Sequence, residues 1–116
     1  MIKVKRIYEA KQKDDGFRIL VDRLWPRGLS KSKANIDLWL KDIAPSDSLR
    51  KWFSHDPKKW EAFRKKYADE LARKTDLVNQ IKKIESDKGV VTLLFSSKEE
   101  DFNDAVALNK ILLAMQ

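Results

Sequence analysis

Phe17-Arg18-Ile19-Leu20-Val21-Asp22-Arg23-Leu24-Trp25-Pro26-Arg27-Gly28-Leu29-Ser30-Lys31 is an apolar run that passes straight into a basic, ring-bearing turn. Ile19, Leu20 and Val21 form the short apolar core of a buried strand, with Gly16 and Pro26 as breakers on either side. The strand is expected over residues 17 to 24 and should stop near Trp25. Pro26 has no amide hydrogen for a sheet ladder and biases Trp25 toward an extended backbone, while Gly28 permits a turn that other residues resist. Arg23 and Arg27 leave the strand end beside Asp22 and Trp25, a composition suited to an anion-binding rim.

Outward from this stretch, Ile2, Val4 and Ile7 roughly alternate with Lys3, Lys5 and Arg6, as in a strand with one wet face. Its relation to residues 17 to 24, hairpin neighbour or separate member of one sheet, stays open at this level. Residues 36 to 43 have a period of two and are expected as a strand. Ser46 suits the N-cap of a short helix bearing Leu49, Trp52 and Phe53. Asp56-Pro57 is the clearest helix start, and Trp60, Phe63, Tyr67 and Leu71 then recur on one stripe. A further helix from Thr75-Asp76 stops at Gly89. Val90-Val91-Thr92-Leu93-Leu94-Phe95 reads as a fully buried central strand, and Asp101 or Asn103 caps a last helix. This order predicts one α/β domain over residues 1–116, a small and mostly parallel sheet with helices packed on it.

Composition narrows the function. The chain has no cysteine, which removes disulfides, thiol nucleophiles and thiolate metal sites and fits a cytoplasmic location. The longest apolar run, Ile111 to Met115, is far short of the roughly 20 residues a membrane helix needs, so no membrane span is expected. The net charge of +7 suits a polyanion, but most Lys and Arg alternate with Asp and Glu along helical faces. The exception is residues 23 to 36, which hold Arg23, Arg27, Lys31 and Lys33 and no acid.

The pattern Val21-Asp22-Arg23-Leu24-Trp25-Pro26-Arg27-Gly28, then Trp39-Leu40-Lys41, Ala44-Pro45-Ser46, Leu49-Arg50 and Trp52-Phe53, resembles the YeaO-like branch of the domain-of-unknown-function family numbered 488. Trp60, Phe63, Tyr67, Glu70, Leu71, the Thr92-Leu93-Leu94 strand and Asn103 extend the resemblance over nearly the whole chain. It implies a compact α/β domain and brings no established activity. In the wider family the late strand often ends in Cys and is followed by a Cys-His-Arg cluster. Here Phe95 stands at about the first position and Asp101-Phe102-Asn103 at about the second, so thiol chemistry is not open to this chain.

The candidate site joins the basic turn to the loop after the buried strand. Arg23, Arg27, Ser96, Ser97, Lys98 and Asn103 are the expected anion ligands, with Asp22, Trp25 and His55 in support. Open parallel sheets bind ligands beyond the carboxyl ends of their strands, and helix-start amides favour anions. The rival for both arginines is an internal pair with Asp22, Asp37 or Asp42. His55, the sole histidine, lacks a sequence-local nucleophile, and a helix-entry contact is its plainer role. Walker, dinucleotide and nucleophile-elbow motifs are absent, and neither a metal nor a cofactor is expected. The expected partner is a small phosphate- or carboxylate-bearing ligand. The alternatives are a nucleic-acid module built on residues 23 to 36 and an interaction domain anchored by an exposed Trp39 or Trp52.

Interleaved charge gives few clustered phosphate contacts, so duplex DNA should bind weakly and lose affinity steeply as salt rises. Fluorescence anisotropy across a salt series measures this; tight binding that persists in high salt would promote the nucleic-acid reading over the small ligand.

Overall fold

The computed structural model describes residues 1–115. Its sheet comprises β1 (Ile2–Arg6), β2 (Phe17–Leu20), β3 (Leu38–Trp39) and β4 (Val91–Phe95), in the spatial order β1-β4-β2-β3. All three pairings are parallel, with Ile2 opposite Val91, Phe17 opposite Val91 and Ile19 opposite Leu38. The first two strands are therefore separate members of the sheet, and β4 lies between them. All five residues of β4 are buried, as its continuous apolar sequence demands of a central strand.

Side chains of successive strand residues point to opposite faces, and this divides the core in two. Ile19, Val91, Leu93 and Phe95 face the main core, which they share with α2 (Asp47–Phe53), α3 (Trp60–Leu71), α4 (Thr75–Lys88) and α5 (Asp104–Ala114). Phe53 and Phe63 stack there at 4.1 Å between ring centroids. Leu20 and Leu94 face the other way, into a smaller core with Ile7, Ala34, Trp25, Leu29, Ile36 and Trp39. Loops and the one-turn helix α1 (Lys31–Ala34) cover that second face.

The second face also holds a buried cation. Arg18 is only 1% exposed; its guanidinium pairs with Asp15, and its Nε and Nη2 donate to the carbonyls of Asn35 (2.8 Å) and Ala34 (3.2 Å). Lys5 Nζ lies 3.2 Å from Asp15 as well, and Thr92 Oγ1 donates to the Asp15 carbonyl at 2.6 Å. Burial would raise the Asp15 carboxyl, but donors from the Gln12 amide, Lys5 and Arg18 outweigh it and hold the group below its usual range. Gly16 follows with φ of +63°, and a Cβ at that position would collide with the Val90 carbonyl oxygen, so the turn into β2 requires glycine.

Three expected elements differ in extent. The strand at 17 to 24 ends at Leu20 by regular pairing, although Val21 N still donates to Leu94 O at 3.2 Å. Residues 36 to 43 supply only the two-residue β3 before a 3₁₀ turn at Lys41–Ile43, because the chain bends there to bury Ile43 and Ala44. The helix start at Asp56-Pro57 is one turn of 3₁₀ that runs into α3. Of the two candidate caps for α5, Asn103 serves, accepting from Val106 N at 2.9 Å. Among the described residues, no helix is long and apolar enough to cross a membrane.

Truncating one partner of a buried ion pair leaves the other charge uncompensated. Arg18→Ala is thus expected to cost about 3–5 kcal/mol of stability. Urea unfolding followed by tryptophan fluorescence measures the loss, and a change below about 1 kcal/mol would show that water replaces the guanidinium.

Candidate functional site

Parallel pairing brings the carboxyl ends of β1, β4 and β2 to one edge, and the chain leaving each strand builds one wall of a crevice of about 750 Å³. The floor is a clasp between two strand ends. Asp22 Oδ2 accepts from Ser96 N at 2.8 Å and from Ser96 Oγ at 2.9 Å. Trp39 Nε1 donates to the Asp22 carbonyl at 2.8 Å, so the sheet's edge strand fixes the backbone of that carboxylate too.

The basic turn is held from both sides. Trp25 Nε1 donates to Leu29 O at 2.6 Å, closing the turn on itself, and the Trp25 ring packs edge-on against Trp39 at 5.3 Å. From β1, Tyr8 Oη donates to Arg27 O at 2.9 Å; Arg6 lies 4.7 Å above the Tyr8 ring and its Nε donates to Ser97 O at 3.0 Å. Ser97 Oγ in turn accepts from Glu99 N at 3.0 Å. Asn103 is buried, its Oδ1 capping α5 and its Nδ2 donating to Glu99 O at 2.8 Å.

All nine residues singled out from the sequence line this crevice: Asp22, Arg23, Trp25, Arg27, His55, Ser96, Ser97, Lys98 and Asn103. They differ in what they offer. Arg27 and Lys98 are exposed, and their charged ends make no hydrogen bond or ion pair among the described residues. Arg23 donates through Nη2 to Ala44 O at 3.4 Å and its Nε sits 3.9 Å from Asp47, so its internal partner is none of the three carboxylates expected from sequence. Asp22 is engaged with Ser96, and Asp37 accepts from Arg18 N at 2.9 Å. His55 follows Ser54 in two successive left-handed positions, φ +46° and +55°, a backbone uncommon outside glycine and asparagine. Its Nδ1 lies 2.9 Å from the Phe102 carbonyl. Since a carbonyl only accepts, Nδ1 is the donor in this contact.

Sequence reasoning missed Arg6, Tyr8, Arg50 and Asp104, which also line the crevice. Arg6 and Tyr8 follow from the parallel topology, which places the end of β1 on the same edge. Asp104 follows from being the first residue of the helix that Asn103 caps. Arg50 carries no such signal, because only tertiary packing turns α2 toward the strand ends. Its Nη2 donates to Asp47 Oδ1 at 2.6 Å.

The crevice wall therefore carries five strong cations, Arg6, Arg23, Arg27, Arg50 and Lys98, against two carboxylates, Asp22 and Asp104. Burial raises the Asp22 carboxyl above its ordinary value despite the Ser96 donors, Arg50 and His55. Burial, then repulsion from Asp22, lifts Asp104 to about 6 against the pull of Arg50 and His55. Beneath them Tyr67 is fully buried; burial drives its hydroxyl well above the usual phenol value, and it donates to Ile43 O at 2.7 Å.

Together these features define an open parallel α/β domain with a basic crevice at the switch from β2 to β4. The full chain, residues 1–116, matches the family described as the inactive DUF488-N3 subclade, and it belongs to that family. It is similar to the uncharacterised protein YeaO of Escherichia coli (strain K12), with 41% identity over 107 residues, 92% of each chain. The uncharacterised protein Rv3073c of Mycobacterium tuberculosis (strain ATCC 25618 / H37Rv) is 35% identical over 111 residues, covering 96% of this chain and 92% of the relative. No solved structure matches it.

A carboxyl whose folded pKa is raised binds its proton more tightly in the native state, so stability falls as pH rises from the unfolded value of ~4 through about 6. Asp104→Asn removes this penalty. The variant should be more stable than wild type by about 1–3 kcal/mol at pH 7.5 and equal to it at pH 4. Urea unfolding at the two pH values measures the difference; a variant destabilised at pH 7.5 would mean that the Asp104 carboxylate is stabilised in the fold.

Proposed function

We propose that the crevice binds a small anionic ligand bearing phosphate or carboxylate, with Arg27 and Lys98 as its exposed cations, unpaired among the described residues, and Arg23 and Ser96 to Ser97 as its wall. The observation that carries this reading is the charge balance: five cations converge on one crevice in which both carboxylates are pushed toward their neutral forms. A cluster of like charge in a partly enclosed site repels itself until an anion enters. The crevice volume lies within the range of small-molecule sites.

Binding rather than turnover suits the residues present. The family is described as inactive, and the place where the wider family resemblance expects a cysteine is held by Phe95, whose side chain is 4% exposed and has no nucleophilic atom. His55 has no serine or threonine hydroxyl among its hydrogen-bond partners, so it activates no nucleophile in this arrangement.

Inorganic phosphate titrated against wild type and Arg27→Lys, with unfolding followed in parallel, tests the site. A lysine keeps the charge and loses the planar fork, so affinity should fall about tenfold while stability is unchanged. Equal affinity in the two proteins would remove Arg27 from the site. Arg23→Lys is expected to weaken binding and lower stability together, because that guanidinium also ties the turn to Ala44 and Asp47.

A further inference from the structure

The crevice holds one acid whose only part in the fold is a first-turn charge on α5. Asp22 spends its Oδ2 on the two Ser96 donors. Asp104 lines the same crevice and the adjoining cleft with Arg50 and His55, and it makes no hydrogen bond or ion pair among the described residues. A half-buried carboxyl without a partner is unfavourable when ionised, and because Asn103 already caps the helix, Asp104 adds to it only a first-turn charge.

We infer that Asp104 is a specificity residue that makes the crevice select a hydrogen-bearing oxyanion, of which hydrogen phosphate is the simplest, over a fully deprotonated one such as sulfate. This rests on the anion-binding reading above. The reason is donor and acceptor matching. The arginine wall offers only donors, which any tetrahedral oxyanion satisfies, so it does not tell phosphate from sulfate. A carboxylate only accepts when ionised, so it rewards a ligand that brings an O–H and repels one that brings bare oxygens. The proton shared between Asp104 and the ligand belongs to the pair; no bond other than this hydrogen bond forms.

The groups that face Asp104 set the conditions under which this holds. They are Asp22 from the end of β2, Arg50 on α2, His55 in the following turn and Tyr67 on α3. Arg50 and His55 favour the carboxylate, Asp22 opposes it, and Tyr67 keeps its proton and donates a hydrogen bond to Ile43 O. Above the range in which Asp104 titrates, the carboxylate enforces selection. Below it, the neutral acid becomes a donor, and sulfate is admitted as readily as phosphate.

Isothermal titration of inorganic phosphate and of sulfate against wild type and Asp104→Asn, at pH 7.5 and at pH 5, tests the inference. In wild type at pH 7.5 phosphate should bind at least about tenfold more tightly than sulfate. Asp104→Asn supplies an amide donor and should bring the two ions to within about twofold, chiefly by improving sulfate. Wild type at pH 5 should show the same levelling without any substitution, which keeps the result independent of how the variant folds. Equal binding of both ions by wild type at pH 7.5 would overturn the selection and leave the anion site standing, and so would discrimination that survives in Asp104→Asn. Binding of neither ion would overturn the anion site and this inference with it.

Discussion

The carboxylate of Asp22 joins two strand ends that are 74 residues apart in the chain, and the crevice exists because of that joint. Parallel strands β2 and β4 both run toward the same edge, and the loops that follow them start side by side. Two hydrogen bonds from Ser96 to one oxygen of Asp22 supply the joint, and the Trp39 indole fixes the backbone behind it. The basic turn can then hang from β2 on one side and the serine loop from β4 on the other, with Tyr8 and Arg6 bracing both from β1. A hydrogen-bonded carboxylate at this depth lies under the cations it faces, so the clasp is also part of the electrostatics of the crevice.

The surface charge elsewhere follows a different rule. Glu61 with Arg64 and Lys3 with Asp14 are exposed pairs of the kind that contribute a few tenths of a kcal/mol each. Trp52 is exposed at 39% with the ammonium groups of Lys59 and Lys66 within 5.1 and 5.3 Å of its ring centroid, whereas Trp39 is packed on Trp25. Of the two tryptophans that could anchor a partner, Trp52 is the more exposed and Trp39 is half-buried, and each has lysine ammonium groups near its ring.

Much of the fold is legible because the apolar runs at 19 to 21 and 90 to 95 are short, dense and flanked by breakers. Those features identify buried parallel strands, and they bring the turn at 23 to 28 and the loop at 96 to 98 to one edge. Residues 36 to 43 misled for a physical reason: their alternation arises from a short strand followed by a 3₁₀ turn, and tertiary burial of Ile43 sets where the change occurs. Arg18 is hidden from sequence reasoning, since an arginine inside an apolar run reads as solvent-facing unless the acceptors that will surround it are known. Those acceptors come from Asp15, Ala34 and Asn35, and the left-handed backbone of Asn35, φ +51°, belongs to the turn that presents them.

The arginines differ in how far the fold meets their donors. A guanidinium has five N–H donors and no acceptor, so its fold-related work is measured by how many donors the protein meets. Arg18 is met on Nε and on both terminal nitrogens, and it is buried without a gap. Arg23 and Arg50 line the crevice with buried Nε atoms that have no hydrogen-bond partner among the described residues, and Arg27 has no side-chain partner at all among them. An orphaned Nε is not proof of a ligand by itself, since Arg64 has one on α3, outside the crevice. The convergence differs. Two under-met guanidiniums, one unmet guanidinium and one unmet ammonium share a single concave space with an acid that also lacks a partner. The Nε atoms of Arg23 and Arg50 are themselves shut off from solvent, so what the crevice offers to an incoming group is the exposed charge of Arg27 and Lys98 beside the half-buried carboxyl of Asp104.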